Sequence, residues 1–177
     1  MTHQHTIKQQ ISRDAYISTF FIDDSVLLEK IKNKIIDKAH DSSFDYKTNV
    51  KAKFTGFKSL VQEPEILEFA KKIGPYVDNI YSKVSELRDC WGNIYTKDDH
   101  TLLHHHQDTT AFCGILYLTE GGPGTYFKDF NITIEEKYGK VVLFPGILLH
   151  QVKASNLNNT RITMAFNCFE QKPWDQQ

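Results

Sequence analysis

The sequence predicts a mainly β, α+β chain in which N-terminal helices support a double-stranded β-helix, an eight-stranded jelly-roll barrel of cupin-like architecture. Three observations predict it. After residue 86 the chain breaks into eight short apolar or alternating runs: LRDCWGNIY, LLHHHQ, FCGILYL, GTYFKD, NITI, KVVLFP, LLHQV and TRITMAFNCF. Gly, Pro, Asn or charged clusters separate them, which is the pattern of a sandwich or barrel. Helical periodicity is confined to the residues before 86, so the crossover helices of a parallel sheet have no room between the late strands.

At 177 residues the chain predicts one domain spanning 1–177, long enough to bury most of the surface its unfolded form exposes. Residues 1–12 are polar and predict a flexible tail, with no role for His3 or His5; 15–85 predict a strand with helical support, and 86–170 the barrel. AYISTFFI (15–22) is rich in β-branched and aromatic residues and predicts a strand. Asp23, Asp24 and Ser25 are helix-start residues. Val26, Leu27, Lys30, Ile31, Lys34 and Ile35 then mark an amphipathic helix to about His40. Residues 41–60 predict loop and extended chain. Pro64, followed by Ile66, Leu67, Phe69, Ala70 and Ile73, predicts a second helix stopped by Gly74-Pro75, and Tyr76 to about Ser85 a third.

The composition narrows function. Hydrophobic residues make up 40% and aromatics 12%, a globular balance, and the net charge of -1 leaves no global footprint for nucleic acid or an anionic membrane. Cys90, Cys113 and Cys168 lie far apart without CxxC spacing, which predicts buried free thiols in a reducing compartment. The N-terminus lacks the apolar core of a signal peptide, and VVLFPGILL is broken by Pro145-Gly146 and too short to span a bilayer. The expected location is cytoplasmic, in the host cytoplasm for a phage-encoded chain.

The chemistry concentrates in LHHHQD (103–108). A mononuclear iron site that leaves positions open for oxygen and substrate needs two imidazoles and one carboxylate on one face of the metal. His106-Gln107-Asp108 offers two ligands with one residue between, a spacing that points both to the same side at a strand end. His150 in LLHQV is the candidate third ligand. Leu148, His150 and Val152 share a face there, and the second and seventh strands of a jelly roll can lie side by side. Arg161, Thr163, Ala165 and Asn167 share one face of the last strand. A guanidinium turned into a barrel is costly unless it meets an anion, and its fork suits a carboxylate. Asn93 and Tyr95, on one face with Trp91, offer further polar contacts, and Tyr117 is a weaker candidate.

Blander readings compete. A cupin would pair His104 and His106 with a glutamate three or four residues on, where this chain has Thr109 and Thr110. His105 points away from His106 on a regular strand, towards the surface or a substrate, and His100 reads as a solvated loop residue. GGPG (121–124) is a turn rather than a phosphate loop, with Thr125 orienting the strand that follows. The KIKNKIIDK stripe is a solvated helix face.

The ordered set N-x-Y (93–95), H-x-D (106–108), G-T (124–125), His150 and R-x-T (161–163) resembles the Fe(II)/2-oxoglutarate-dependent dioxygenase superfamily over roughly residues 87–169. The opening AYISTFFIDDSVLLEKIKNKII resembles the start of the prolyl 4-hydroxylase-like branch. GILYLTEGGPGTYF and KVVLFPGILLHQV are similar to small hydroxylase-like members, including those of bacteria and phages. The resemblance implies that His106, Asp108 and His150 hold Fe(II) and that Arg161 binds the distal carboxylate of 2-oxoglutarate. It also implies that Tyr95, Asn93 and Thr163 line this cosubstrate and that O2 is consumed. WGNIY…HQD is similar to alkylation-repair dioxygenases too, but these carry a second Arg where this chain has Asn167, which argues against nucleic-acid repair. The prolyl hydroxylase branch often has Lys in place of Arg161. The activity implied is hydroxylation of a substrate C–H, with a peptide or protein side chain, prolyl above all, as the leading expectation. The same iron chemistry on a small molecule or methylated nucleobase, and a non-catalytic cupin-like metal-binding domain, are the alternatives.

Overall fold

A computed structural model describes residues 5–7, 16–41, 48–80, 85–106, 111–154, 156 and 158–170. Its strands are β1 (His5–Ile7), β2 (Ile17–Phe21), β3 (His40–Asp41), β4 (Val50–Lys51), β5 (Lys53–Phe54), β6 (Ser85–Tyr95), β7 (His100–His104), β8 (Phe112–Tyr117), β9 (Thr125–Phe127), β10 (Ile132–Ile134), β11 (Lys140–Pro145), β12 (His150–Val152) and β13 (Arg161–Glu170). Helix α1 spans Ser25–Lys38 and α2 Pro64–Ile80. One antiparallel sheet runs β1-β2-β11-β8-β13-β6-β5-β3 and faces a second, β10-β9-β12-β7-β4. This is the double-stranded β-helix, with β6 to β13 as the eight late strands.

Strand parity decides what lies on each side of the larger sheet. On β13, Ile162, Met164, Phe166 and Cys168 join the core that the helices cover, together with Leu116 and Leu143. Arg161, Thr163, Ala165 and Asn167 turn into the barrel. Helix α1 lays Leu27, Leu28, Ile31 and Ile35 on this sheet, and its first turn is capped by the Asp24 carboxylate, which accepts from the Leu27 N–H at 3.0 Å. Inside the barrel two further apolar clusters form. One holds Tyr117, Phe127, Phe144 and Leu148, the other Val50, Trp91, Tyr95 and Val152, and the candidate site lies between them.

Two glycines permit the close packing of layers. A Cβ at Gly92 would overlap Ile35 of α1, and one at Gly114 would overlap the Phe166 ring. Phe166 is itself pinned edge-to-face by Phe69 of α2, with centroids 5.7 Å apart. Gly114→Ala is therefore expected to destabilise the fold by about 1–3 kcal/mol, as overpacking does. Chemical denaturation checks this, and an unchanged midpoint would mean that Phe166 yields freely.

The structure departs from expectation in the N-terminal half. Residues 5–7 pair with Ile17–Thr19 as an edge strand where a tail was expected. Helix α1 stops at Lys38, and residues 40–41 pair with β5. Gly74-Pro75 does not end α2, which continues to Ile80 and absorbs the start of the expected third helix; Ser85 opens a strand instead. Pro75 lies on the exposed face, while Val77 is buried and Tyr76 stacks on Phe20 at 4.2 Å. Burying such side chains contributes about 1.5–3 kcal/mol each, which offsets the roughly 3 kcal/mol an interior proline costs. The lysine stripe is only partly solvated, since Lys34 and Lys38 both pair with Glu63 ahead of α2.

Candidate active site

The β7–β12 ladder builds the first half of the site. His150 is the register partner of His104, and a β-bulge follows before Val152 meets Thr101. His106 lies just beyond β7, where its backbone N–H donates to the Gly146 carbonyl at 2.8 Å, tying it to the turn that leads into β12. The ring centroids are 4.3 Å apart for His104 and His150 and 5.3 Å for His106 with either. One ring nitrogen from each lies within 4.8 Å of the others, a set able to hold a metal ion. Asp108 lies outside the described residues.

Burial disfavours charge on all three rings. It holds His150 well below the ordinary histidine range, with the neighbouring His104 next in effect, and it lowers His104 against an opposing hydrogen bond to Leu102. It brings His106 down to about 4. Neutral imidazoles keep the lone pairs that metal ligation requires. His150 bonds through Nδ1 to the Leu148 carbonyl at 2.9 Å, which leaves its Nε2 as the free lone pair, whereas His104 bonds through Nδ1 to the Leu102 carbonyl at 2.8 Å and also to the backbone of His150. Phe144 stands edge-on to the His150 ring at 4.7 Å.

These depressed values make the metal-free fold sensitive to acid. The unfolded chain takes up protons near the ordinary 6.5, whereas folded His106 does so only near 4. The folded state is therefore fully favoured above this window and loses stability as the pH falls through it. The denaturation midpoint of metal-free protein is expected to be lower at about pH 5 than at about pH 7; equal midpoints would mean that the rings accept protons without penalty.

The second half of the site surrounds Arg161, at 2% exposure one of the largest fully buried side chains. Its guanidinium carbon lies 4.6 Å from the Tyr95 ring centroid and 5.4 Å from that of Tyr117. Its Nη2 donates to Thr125 Oγ1 at 3.4 Å, and Thr125 also accepts from the Tyr117 hydroxyl at 2.8 Å. Nε and Nη1 are buried without a hydrogen-bond partner, and no ion pair to Arg161 occurs among the described residues. Thr163 and Asn93 are register partners one step along the ladder, and Tyr95 shares a 2.7 Å hydrogen bond with Thr101.

A cavity of about 50 Å³ connects the two halves, lined by His104, His106, His150 and Arg161 among others. A buried guanidinium with two orphaned edges at one end and three neutral imidazoles at the other fit a small carboxylate ligand that also reaches a metal. Tyr117 bonds Thr125 behind Arg161. His105 is exposed, and His100 starts β7 rather than lying in a loop. Neither Lys140, which donates to the Glu135 carbonyl, nor Lys153, which lies over Tyr126, lines the cavity.

Sequence reasoning gave His104 only the cupin alternative and missed Glu136. The buried Glu136 carboxylate accepts from Thr119 Oγ1 at 2.6 Å and the Gly122 N–H at 2.7 Å, fixing the turn that delivers Thr125. An acid after NITI carried no signal, because only the fold brings it to that turn.

Comparison with known proteins supplies the remaining observation. Residues 124–167, which include Thr125, His150, Arg161 and Asn167, match the family model described as "Putative 2OG-Fe(II) oxygenase". That stretch is 44 of the 177 residues (167 − 124 + 1), and the model it matches is one of 2-oxoglutarate-dependent oxygenases. These are oxidoreductases, and the family uses Fe(II), 2-oxoglutarate and O2. Among solved structures, the chain is similar to the viral collagen prolyl hydroxylase of Paramecium bursaria Chlorella virus-1 in its 2-oxoglutarate complex, at 15% identity and a TM-score of 0.65 over 88% of this chain and 97% of that one. It is similar to a Pseudomonas putida prolyl-4-hydroxylase at 12% identity and 0.66 over 88% and 93%. HygX of Streptomyces hygroscopicus, with nickel and 2-oxoglutarate bound, matches at 12% identity and 0.68 over 89% and 84%. No curated protein matches. No helix among the described residues is long and apolar enough to cross a membrane.

Proposed function

We propose that this chain is an Fe(II)- and 2-oxoglutarate-dependent dioxygenase that hydroxylates a C–H bond of a peptide or protein side chain, acting in the cytoplasm. The single observation that carries the reading is the orphaned Arg161 guanidinium, buried and aimed into the cavity that the imidazole cluster lines. His106 and His150 hold the iron, with the Asp108 carboxylate as their expected companion, and Arg161 holds the distal carboxylate of 2-oxoglutarate. When bound, the metal with 2-oxoglutarate and O2 supplies the oxidising power, with decarboxylation to succinate.

The chain's own residues bind, orient and exclude water. Tyr95 and Tyr117 flank the guanidinium, and Thr125 fixes one of its nitrogens, so its free edge is set before the carboxylate arrives. Phe144 and Phe127 cover the His150 ring and keep water from its far side. Towards the other end of the β13 ladder, Trp91 Nε1 and Asn167 Oδ1 are buried without partners, one a donor and one an acceptor. A peptide amide offers the complementary pair, which supports a peptide substrate. The prolyl hydroxylases among the similar structures point the same way.

Turnover of 2-oxoglutarate to succinate with Fe(II), O2 and a library of proline-containing peptides tests this. The expected result is stoichiometric succinate and a peptide that gains one oxygen atom by mass spectrometry. Succinate without peptide oxidation would move the substrate to another class, and no succinate at all would refute the oxygenase reading.

A further inference from the structure

We infer that Glu136 is a positioning residue for the cosubstrate. Its carboxylate joins the backbone that carries Arg161 to the turn that carries Thr125, and so presets the guanidinium for 2-oxoglutarate. The inference rests on the reading above that Arg161 takes the distal carboxylate, and it names a residue that does not itself line the cavity.

Glu136 is the one buried acid among the described residues, at 2% exposure. Alternation carried past the end of β10 turns it inward with Ile134, whereas Glu135 between them is exposed and pairs with Lys137 at 3.2 Å. A carboxylate is costly to bury unless its oxygens are hydrogen-bonded. Here Oε1 accepts from the Thr119 hydroxyl at 2.6 Å and Oε2 from the Gly122 N–H at 2.7 Å.

From Oε1 one arm runs to the last strand. The Thr119 hydroxyl has a single hydrogen, and Glu136 takes it, because the other acceptor in reach, the Ile162 carbonyl, is 3.4 Å away. A lone pair of the same hydroxyl then accepts from the Ile162 N–H at 2.8 Å, which pins the start of β13 next to Arg161. From Oε2 the second arm runs through the turn. A Cβ on Gly122 would lie 2.3 Å from Oε2 and 3.3 Å from the Arg161 Cβ, so carboxylate, turn and Arg161 pack closely together. Further along that turn, Thr125 Oγ1 accepts from Arg161 Nη2. One side chain therefore fixes the guanidinium both from its backbone and from its tip. Among the described residues no ion pair joins Glu136 to Arg161, so the orphaned Nε and Nη1 stay open to a ligand. A neutral amide in place of Glu136 could not accept from both donors, and one arm would then meet an N–H.

Calorimetric titration of the Co(II)-loaded full chain with 2-oxoglutarate tests this without turnover. Co(II) affinity and the denaturation midpoint are measured on the same variants. Glu136→Gln is expected to weaken 2-oxoglutarate binding by about tenfold and to leave Co(II) affinity unchanged. Thr119→Val, which severs the first arm alone, is expected to weaken it in the same direction, and Thr119→Ser, which keeps the hydroxyl, to bind as the parent does. This pair carries the test if Glu136→Gln does not fold. Because Glu136 acts through the guanidinium, Glu136→Gln is expected to have no further effect once Arg161→Ala is present. Parental 2-oxoglutarate affinity in the folded variants overturns the inference. So does an undiminished effect of Glu136→Gln in the Arg161→Ala background, or a loss of Co(II) affinity in step with 2-oxoglutarate, which is what a merely structural role would give. Each of these leaves the site reading standing. A Co(II)-loaded parent chain that binds no 2-oxoglutarate overturns both.

Discussion

Arg161→Ala is expected to raise the 2-oxoglutarate concentration needed for half-maximal turnover by about 10²-fold or more while leaving metal affinity unchanged. The guanidinium is buried against two tyrosine rings, and two of its nitrogens have no partner. An anion arriving there would form charge-assisted bonds in a water-poor site, where each is stronger than in water. Its removal leaves the carboxylate facing two aromatic rings and the Thr125 hydroxyl. Arg161→Lys is expected to recover only part of the loss, because an ammonium lacks the fork that meets both carboxylate oxygens. The imidazole cluster sits on other strands, so Co(II) titration of the same variants separates cosubstrate binding from metal binding. Unchanged 2-oxoglutarate dependence in Arg161→Ala would place the carboxylate site elsewhere.

His150→Ala is expected to abolish turnover, with a fall of about 10³-fold or more, and to empty the metal site. His150 is the histidine that both others face, and Phe127 and Phe144 pack around its ring. The truncation also opens a cavity between those phenylalanines. A stability loss of about 2–4 kcal/mol is therefore expected alongside the loss of function. The two effects separate in His150→Gln, which restores volume without the imidazole. That variant is expected to fold near the parent's denaturation midpoint and still fail to bind metal. Metal binding by folded His150→Gln would remove His150 from the ligand set.

The barrel was legible because it follows from strand parity. Alternation in TRITMAFN put Arg161 on one face and Met164 on the other, and the sheet keeps that division because the Met164 face is covered by helices. The adjacency of the second and seventh late strands was legible from jelly-roll topology alone, and it is what carries His150 to β7. Less visible were features that depend on register. Whether His104 or only His106 reaches His150 depends on the pairing of β7 with β12 and on the bulge after His150, neither of which leaves a mark in composition. Thr125 and Glu136 acquire their roles through the turn at 119–124, joined by bonds between residues far apart in the chain. The end of α2 was misread because local rules for Gly-Pro ignore what Tyr76 and Val77 gain by packing onto the sheet.

The central claim is that one cavity holds Fe(II) and 2-oxoglutarate together, with Arg161 at one end and the histidines at the other. The most direct measurement is anaerobic titration of metal-free protein with Fe(II) and then 2-oxoglutarate, followed by visible absorption. A charge-transfer band that develops only when both are present, at a 2-oxoglutarate concentration shifted steeply upward by Arg161→Ala and absent in His150→Gln, is the predicted result. A folded protein that binds Fe(II) and 2-oxoglutarate without developing the band, or that binds neither, would contradict the account.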